Sequence, residues 1–320
     1  MNNDVVVVTD QLTKKYGDLV ALDSLSIQVK RGQILGFIGP NGAGKTTTIK
    51  ILVGQARPTR GTASIAGVDC ASDAQRIKRL VGYMPDTFGT YDNMRVHEYL
   101  DFFGAAFGIP RRSRTPRVDE VLETAGATYM RDRFVESLSH GMKQRVGIAR
   151  TLLHDPEVLI LDEPANGLDP QARIEMRELL LQLASMGKTL IVTSHILPEL
   201  SRICDQVAIV TQGKLRAFGP LDEILREVGQ RRRIEIQLLD ADSAEQAAGI
   251  VRQVVEADAN VAASSTDSTV RFQTNQSEQE LGQLLSQLVT AGITVSQFRE
   301  EVMDLEDTFL SITRGGVRSL

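Results

Sequence analysis

The run Gly39-Pro40-Asn41-Gly42-Ala43-Gly44-Lys45-Thr46 fixes the fold around it more tightly than any other part of the chain. Ahead of it, residues 33–38 read as a buried strand, and residues 46–52 after it read as a helix. The pattern GxxxxGK[ST] between a strand and a helix is a phosphate loop. Gly39, Gly42 and Gly44 let backbone amides turn inward around phosphate oxygens, and the helix N-terminus adds its dipole. Pro40, Asn41 and Ala43 complete the loop. Lys45 reaches phosphate as a flexible point charge, Thr46 offers a hydroxyl to Mg²⁺, and Thr47 adds a further phosphate contact.

The surrounding pattern is that of an α/β core. Residues 158–161 are continuously aliphatic, as expected of a parallel strand covered on both faces. Met176, Leu179, Leu180 and Leu183 follow at i, i+3, i+4 and i+7, a helical stripe that packs onto the sheet. Residues 190–193 and 207–210 supply further buried strands, and residues 5–9 and 26–29 earlier ones, with a turn at 15–18. Residues 94–149 are predominantly helical, clearest over 117–125 and 142–153. Gly108, Ile109 and Pro110 with the basic run Arg111 to Arg114 read as an exposed turn, and a solvated loop explains that run better than a phosphate patch.

After Gly229 the texture changes. Alternation at Ile234, Ile236 and Leu238, a helical stripe at Ala247, Val251 and Val254, and strands near 261–264 and at Val270 and Phe272 come in order. A second stripe at Leu281, Leu284, Leu285 and Leu288 and a strand beginning at 292–295 complete β-α-β-β-α-β, the order of a small ferredoxin-like α+β unit, closed by a helix over 305–312. This part has no His, Cys or glycine-rich loop, so no chemistry is assigned to it. The expected domains are therefore 5–228, with a helical subdomain over about 88–156, and 231–314.

With 320 residues, two compact units are the natural division. A formal charge of −5 with no long Lys or Arg block lacks the footprint of a duplex-DNA binder, so no direct nucleic-acid partner is expected. Cys70 and Cys204 are too few for a disulfide framework and read as reduced thiols. No basic leader precedes the short run Val5 to Val8, and no stretch approaches the roughly 20 apolar residues that cross a bilayer. An intracellular chain is expected, one able to dock onto a membrane protein.

Asp162 ends the aliphatic strand, where its carboxylate can join the Mg²⁺ shell, and Glu163 is the candidate for polarising an attacking water. His195 follows another strand, at the sheet end where α/β ligands gather. It suits a γ-phosphate contact, although judged alone it fits a helix cap or core residue nearly as well. His97, His140 and His154 show no metal-ligand spacing.

Taken together, residues 5–225 resemble the ATP-binding subunit of ABC transporters, with the P-loop NTPase core of that family. Gly39 to Thr46 matches Walker A, and residues 158–163 match Walker B with its catalytic glutamate. Leu138-Ser139-His140-Gly141-Met142 matches the ABC signature, Leu168-Asp169 the D-loop and His195 the switch histidine. The resemblance implies ATP and Mg²⁺ as cofactors, with Tyr16 stacking on adenine; a buried structural tyrosine is the alternative. It also implies a head-to-tail homodimer in which Ser139 and Gly141 complete the partner's site, with Asp169 of the D-loop a further candidate nucleotide-binding residue.

Two positions depart from the family pattern. His140 and Met142 stand where Gly and Gln are usual, and Asp86 stands at the Q-loop glutamine, where it can only accept hydrogen bonds. Asp86 remains a candidate Mg²⁺ ligand and catalytic residue at the hinge to the helical part. The aromatics Phe88, Tyr91, Tyr99, Phe102, Phe103 and Phe107 follow it. A packed core accounts for most of them, while the resemblance places a groove for the coupling helix of a membrane subunit here.

The resemblance, closest to ATPases paired with separate exporter-type membrane proteins, implies ATP hydrolysis coupled to export. The partner would be a polytopic transmembrane permease, with this chain peripheral on the inner face of the cytoplasmic membrane. One alternative is an ABC ATPase of DNA repair or translation, but the chain has neither a long coiled-coil insert nor a second cassette. Another is a regulatory subunit that binds ATP without turnover, against which Lys45, Asp162 and Glu163 argue.

Overall fold

The computed structural model describes residues 4–87, 89, 93–194, 200, 202–221, 223–224, 232–256 and 259–301. The chain divides between residues 221 and 222 into two compact units.

In the first unit, β1 (Val5–Tyr16) and β2 (Leu19–Lys30) pair antiparallel, joined by a turn at Gly17 and Asp18. The first strand thus runs through Lys15 and Tyr16, two residues into the expected turn. With β4 (Arg60–Ile65) and β5 (Val68–Asp69) they form a sheet of order β2-β1-β4-β5. The second sheet carries the phosphate loop and the acidic strand end. It contains β3 (Ile34–Ile38), β6 (Val81–Met84), β7 (Val158–Asp162), β8 (Thr189–Ser194), β9 (Gln206–Thr211) and β10 (Lys214–Gly219), in the order β10-β9-β3-β8-β7-β6.

All pairs in that sheet are parallel except β9 with β10. The carboxyl ends of β3, β6, β7 and β8 therefore share one edge, the edge at which α/β sheets bind ligands. Every residue of β3, β7 and β8 is buried, which explains their unbroken aliphatic runs.

Helix α1 (Lys45–Leu52) leaves the phosphate loop, and α2 (Ala74–Leu80) precedes β6. The largely helical stretch contains α3 (Val96–Ala106), α4 (Arg111–Thr124) and α5 (His140–Leu152). The basic run Arg111 to Arg114 is the first turn of α4 and not an exposed loop. Pro110 precedes the helix with φ −57°, a value that leads into it, and Arg114 is held by Asp101 at 3.2 Å. Buried Val118, Val121 and Leu122 anchor the rest, and Arg117 donates to the Leu153 carbonyl at 2.9 Å at the end of α5. Helix α6 (Pro170–Ser185) buries all four residues of its expected stripe, each contributing about 1.5–3 kcal/mol.

The second unit contains β11 (Arg232–Leu238), α7 (Ala244–Val254), β12 (Ala262–Ser264), β13 (Thr269–Thr274), α8 (Glu278–Thr290) and β14 (Val295–Glu301). Its sheet order is β12-β13-β11-β14 with antiparallel pairing throughout, the split β-α-β arrangement of a ferredoxin-like fold. Ile234, Ile236, Val251, Phe272 and Leu284 lie in one core. The closing helix expected over 305–312 lies outside the described residues.

Candidate active site

The phosphate loop is braced from behind. A Cβ on Gly39 would come within 2.3 Å of the Val210 carbonyl oxygen, and one on Gly44 within 2.8 Å of the Ala21 carbonyl oxygen. Gly44 also has φ +110°, which side chains rarely adopt. The Gly213 N–H donates to the Ala43 carbonyl at 3.0 Å, so the β9–β10 turn pins the loop to the sheet.

A cavity of about 500 Å³ opens over this loop. Residues 40–47 line it together with Tyr16, Leu19, Val20, Ala21 and Gln212. Tyr16 is 48 % exposed there, so its ring faces the cavity and not the core, with Lys14 Nζ 4.9 Å from the ring centroid. Thr46 is exposed and Thr47 half-buried. Lys45 is 7 % exposed; its Nζ donates to the Gly39 carbonyl at 2.6 Å and lies 3.4 Å from Glu163 Oε1.

At the end of β7 the carboxylates meet a residue that the sequence did not single out. Thr193, fully buried and in register with Asp162, donates its hydroxyl to Asp162 Oδ1 at 2.6 Å and accepts the Glu163 N–H at 2.9 Å. The hydroxyl so fixes the rotamer of Asp162 and the backbone of Glu163, which turns at φ +53°. Burial pushes the Asp162 pKa up; the Thr193 bond opposes this, the charges of Glu163 and Asp86 add to it and Lys45 counters it. A threonine in an aliphatic strand looks like any β-branched filler; only the β7–β8 register reveals its role.

A hard cation fits this oxygen set. A hydroxyl and carboxylates are the oxygen donors that suit Mg²⁺ beside substrate phosphates, and Thr46, Asp162 and Asp86 would offer them. The mutual repulsion of Asp162, Glu163 and Asp86 is what a divalent ion relieves. Among the described residues no group of three His, Cys, Asp or Glu forms a metal cage. Asp86, after β6, is exposed and accepts from Asn166 Nδ2 at 3.5 Å. Position 195, Phe88 and Tyr91 lie outside the described residues.

Ser139, Gly141 and Asp169 sit elsewhere. They line a second cavity of about 370 Å³ that shares no lining residue with the first. Ser139 caps α5, its Oγ accepting the Met142 N–H at 3.4 Å, and Asp169 caps α6, accepting the Ala172 N–H at 2.8 Å. Of the aromatics after Asp86, Tyr99 is fully buried while Phe102 and Phe107 are 46 % and 43 % exposed.

Comparison with known proteins decides the family. The bacitracin transport ATP-binding protein BcrA of Bacillus licheniformis is 38 % identical over 97 % of this chain and 98 % of its own length. The chain belongs to the ABC transporter ATP-binding proteins. The ABC transporter family model matches residues 22–166 of this ABC protein, and that of the DrrA1-3-like ATP-binding protein C-terminal domain matches residues 219–313. The Nod factor export ATP-binding protein I of Ralstonia nicotianae is 39 % identical over 70 % of both chains. Among solved structures, an ATP-binding subunit of an ABC transporter superposes with TM-score 0.63 at 32 % identity, covering 70 % of this chain and 93 % of that one. The cbiO1 protein of Clostridium perfringens, part of the ABC transporter complex cbiONQ, gives 0.64 at 28 %, covering 71 % and 95 %. ATP hydrolysis is the activity of this family, and the phosphate loop and acidic strand end are the parts that phosphoryl transfer to water requires.

Proposed function

We propose that this ABC ATPase works as a head-to-tail homodimer that binds two ATP molecules with Mg²⁺ and drives export through a separate polytopic permease. Residues 5–228 serve as the ATP-binding domain and 231–314 as an accessory domain. Lys45, residues 39–44 and Thr47 hold the phosphates, Thr46, Asp162 and Asp86 the Mg²⁺, and Tyr16 the adenine. Glu163 polarises the attacking water, and His195 holds the γ-phosphate. Bound Mg²⁺ supplies charge neutralisation on the phosphates; the protein residues position and exclude.

The observation that carries the dimer is the separation of the two cavities. Ser139 and Gly141 stand at a helix N-terminus, a place suited to phosphate, yet they line no part of the cavity over the phosphate loop of their own chain. A second copy, turned head to tail, brings the two together.

No helix among the described residues is long and apolar enough to cross a membrane. The permease and a place on the inner face of the cytoplasmic membrane are supported by the transport and export roles of the relatives from Bacillus licheniformis and Ralstonia nicotianae. Affinity purification from native membranes, followed by transport in vesicles, tests the reading. Recovery of a polytopic partner and ATP-dependent efflux are expected; transport that proceeds without this chain overturns it.

A further inference from the structure

The turn that leaves β7 is held from three sides at Asn166. Its N–H donates to the Glu163 carbonyl at 3.1 Å, its side-chain amide lies 3.5 Å from Asp86 Oδ1, and its carbonyl lies 2.9 Å from Nε2 of His140. A carbonyl only accepts, so that nitrogen of His140 carries the proton. One turn further along α5, Gln144 is 1 % exposed, with its amide nitrogen 3.4 Å from the same Nε2 and its Oε1 without a partner among the described residues. Two donors do not face each other; turning the amide over lets Oε1 accept from the same proton.

The helix itself does not need this contact. Ser139 already caps α5, and histidine is no better than average at forming helix. What the contact joins is Ser139 and Gly141 on one side of His140 to the turn of Glu163 on the other.

We propose that His140 is a positioning residue that ties the signature half-site of each chain to the hydrolytic turn of the same chain. It rests on the reading that Ser139 and Gly141 complete the partner's site. Under it, the groups a copy lends to its neighbour and the groups it keeps for its own nucleotide shift together, so each site senses the other.

The test uses the full chain and Mg-ATP, measuring kcat, KM, the Hill coefficient, melting temperature and affinity for a fluorescent ATP analogue. His140→Leu keeps bulk but loses the donor; His140→Gln restores a donor. The Leu variant is expected to lose about fivefold in kcat, the worth of one hydrogen bond, and to move toward a Hill coefficient of one. Its analogue affinity and melting temperature stay those of the wild type, and the Gln variant recovers most of the loss. Wild-type kcat and Hill coefficient in the Leu variant overturn the proposal, as does a Gln variant no better than Leu. Should the Leu variant not fold, His140→Asn, whose amide is too short to reach Asn166, replaces it. Ser139→Ala separates the two readings: wild-type turnover there removes the composite site and the His140 coupling with it, whereas lost turnover beside an unaffected His140→Leu removes the coupling alone.

Discussion

Lys45 and Glu163 face each other across the phosphate loop, Nζ to Oε1 at 3.4 Å, with side chains only 8 % and 13 % exposed. Little solvent screens the pair. Under the proposed roles, a γ-phosphate held by Lys45 competes with Glu163 for the same ammonium group.

Lys45→Ala is therefore expected to lower ATP affinity by about tenfold or more, the loss of a charge-assisted hydrogen bond. Glu163→Gln keeps a hydrogen-bond acceptor beside Lys45 and loses the base. Titration calorimetry should find its affinity retained, turnover should fall by about 100-fold or more, and the mass in solution with ATP should be that of a dimer. Hydrolysis at the wild-type rate by Glu163→Gln removes Glu163 from the catalytic role.

Thr193→Val replaces the buried hydroxyl with a methyl group of the same shape. It leaves Asp162 Oδ1 and the Glu163 N–H without their partner, at a stability cost of about 1–3 kcal/mol. Turnover should drop with little change in the affinity for metal-free nucleotide, and Thr193→Ser should restore it. Chemical denaturation and steady-state rates read both arms.

His154 gives the unit a pH response. Its Nε2 donates to the Val81 carbonyl at 3.0 Å, its ring stacks on Phe107 at 4.2 Å, and its Nδ1 is buried without a partner among the described residues. Burial lowers its pKa below the usual 6.5; the Val81 hydrogen bond and the Asp155 charge oppose this, and the charges of Arg117 and Lys188 add to it. The unfolded chain thus binds the proton more readily, so the stability this residue contributes is complete above about pH 6.5 and is lost as pH falls through the lower folded value. Urea midpoints at pH 8 and pH 5.5 should differ more for the wild type than for His154→Asn; equal differences discount the residue.

Asp162 works in the opposite sense. Its pKa is raised by burial, so its charge opposes folding once pH exceeds the unfolded value, and protonation relieves it. Asp162→Asn keeps an acceptor for Thr193 and drops the charge. Differential scanning calorimetry of the nucleotide-free protein should show a higher melting temperature, about 2–4 °C for each kcal/mol, alongside lost Mg²⁺-dependent hydrolysis.

Local pattern made much of this legible. Glycines at 39, 42 and 44 and a lysine at 45 state a phosphate loop, and the stripe from Met176 to Leu183 states one helix face. The alternation around Ile234 and Phe272 was enough to order the second unit. Thr193 was invisible because its partner is thirty-one residues away and meets it only through strand register. The same holds for His140, legible as a departure from the family pattern but silent about Asn166. At Arg111 to Arg114 composition misled: the charge and the preceding Gly108, Ile109 and Pro110 read as a loop, while anchors to Asp101 and the end of α5 keep the segment helical.

The two cavities with no lining residue in common carry a consequence for inheritance. If a second copy completes each, a chain defective at Lys45 and another defective at Ser139 are each silent as pure populations. Mixed in one cell they assemble pairs in which one site has both defects and the other has none. Two null alleles then recover a working transporter between them, and the recovery grows with the share of mixed pairs.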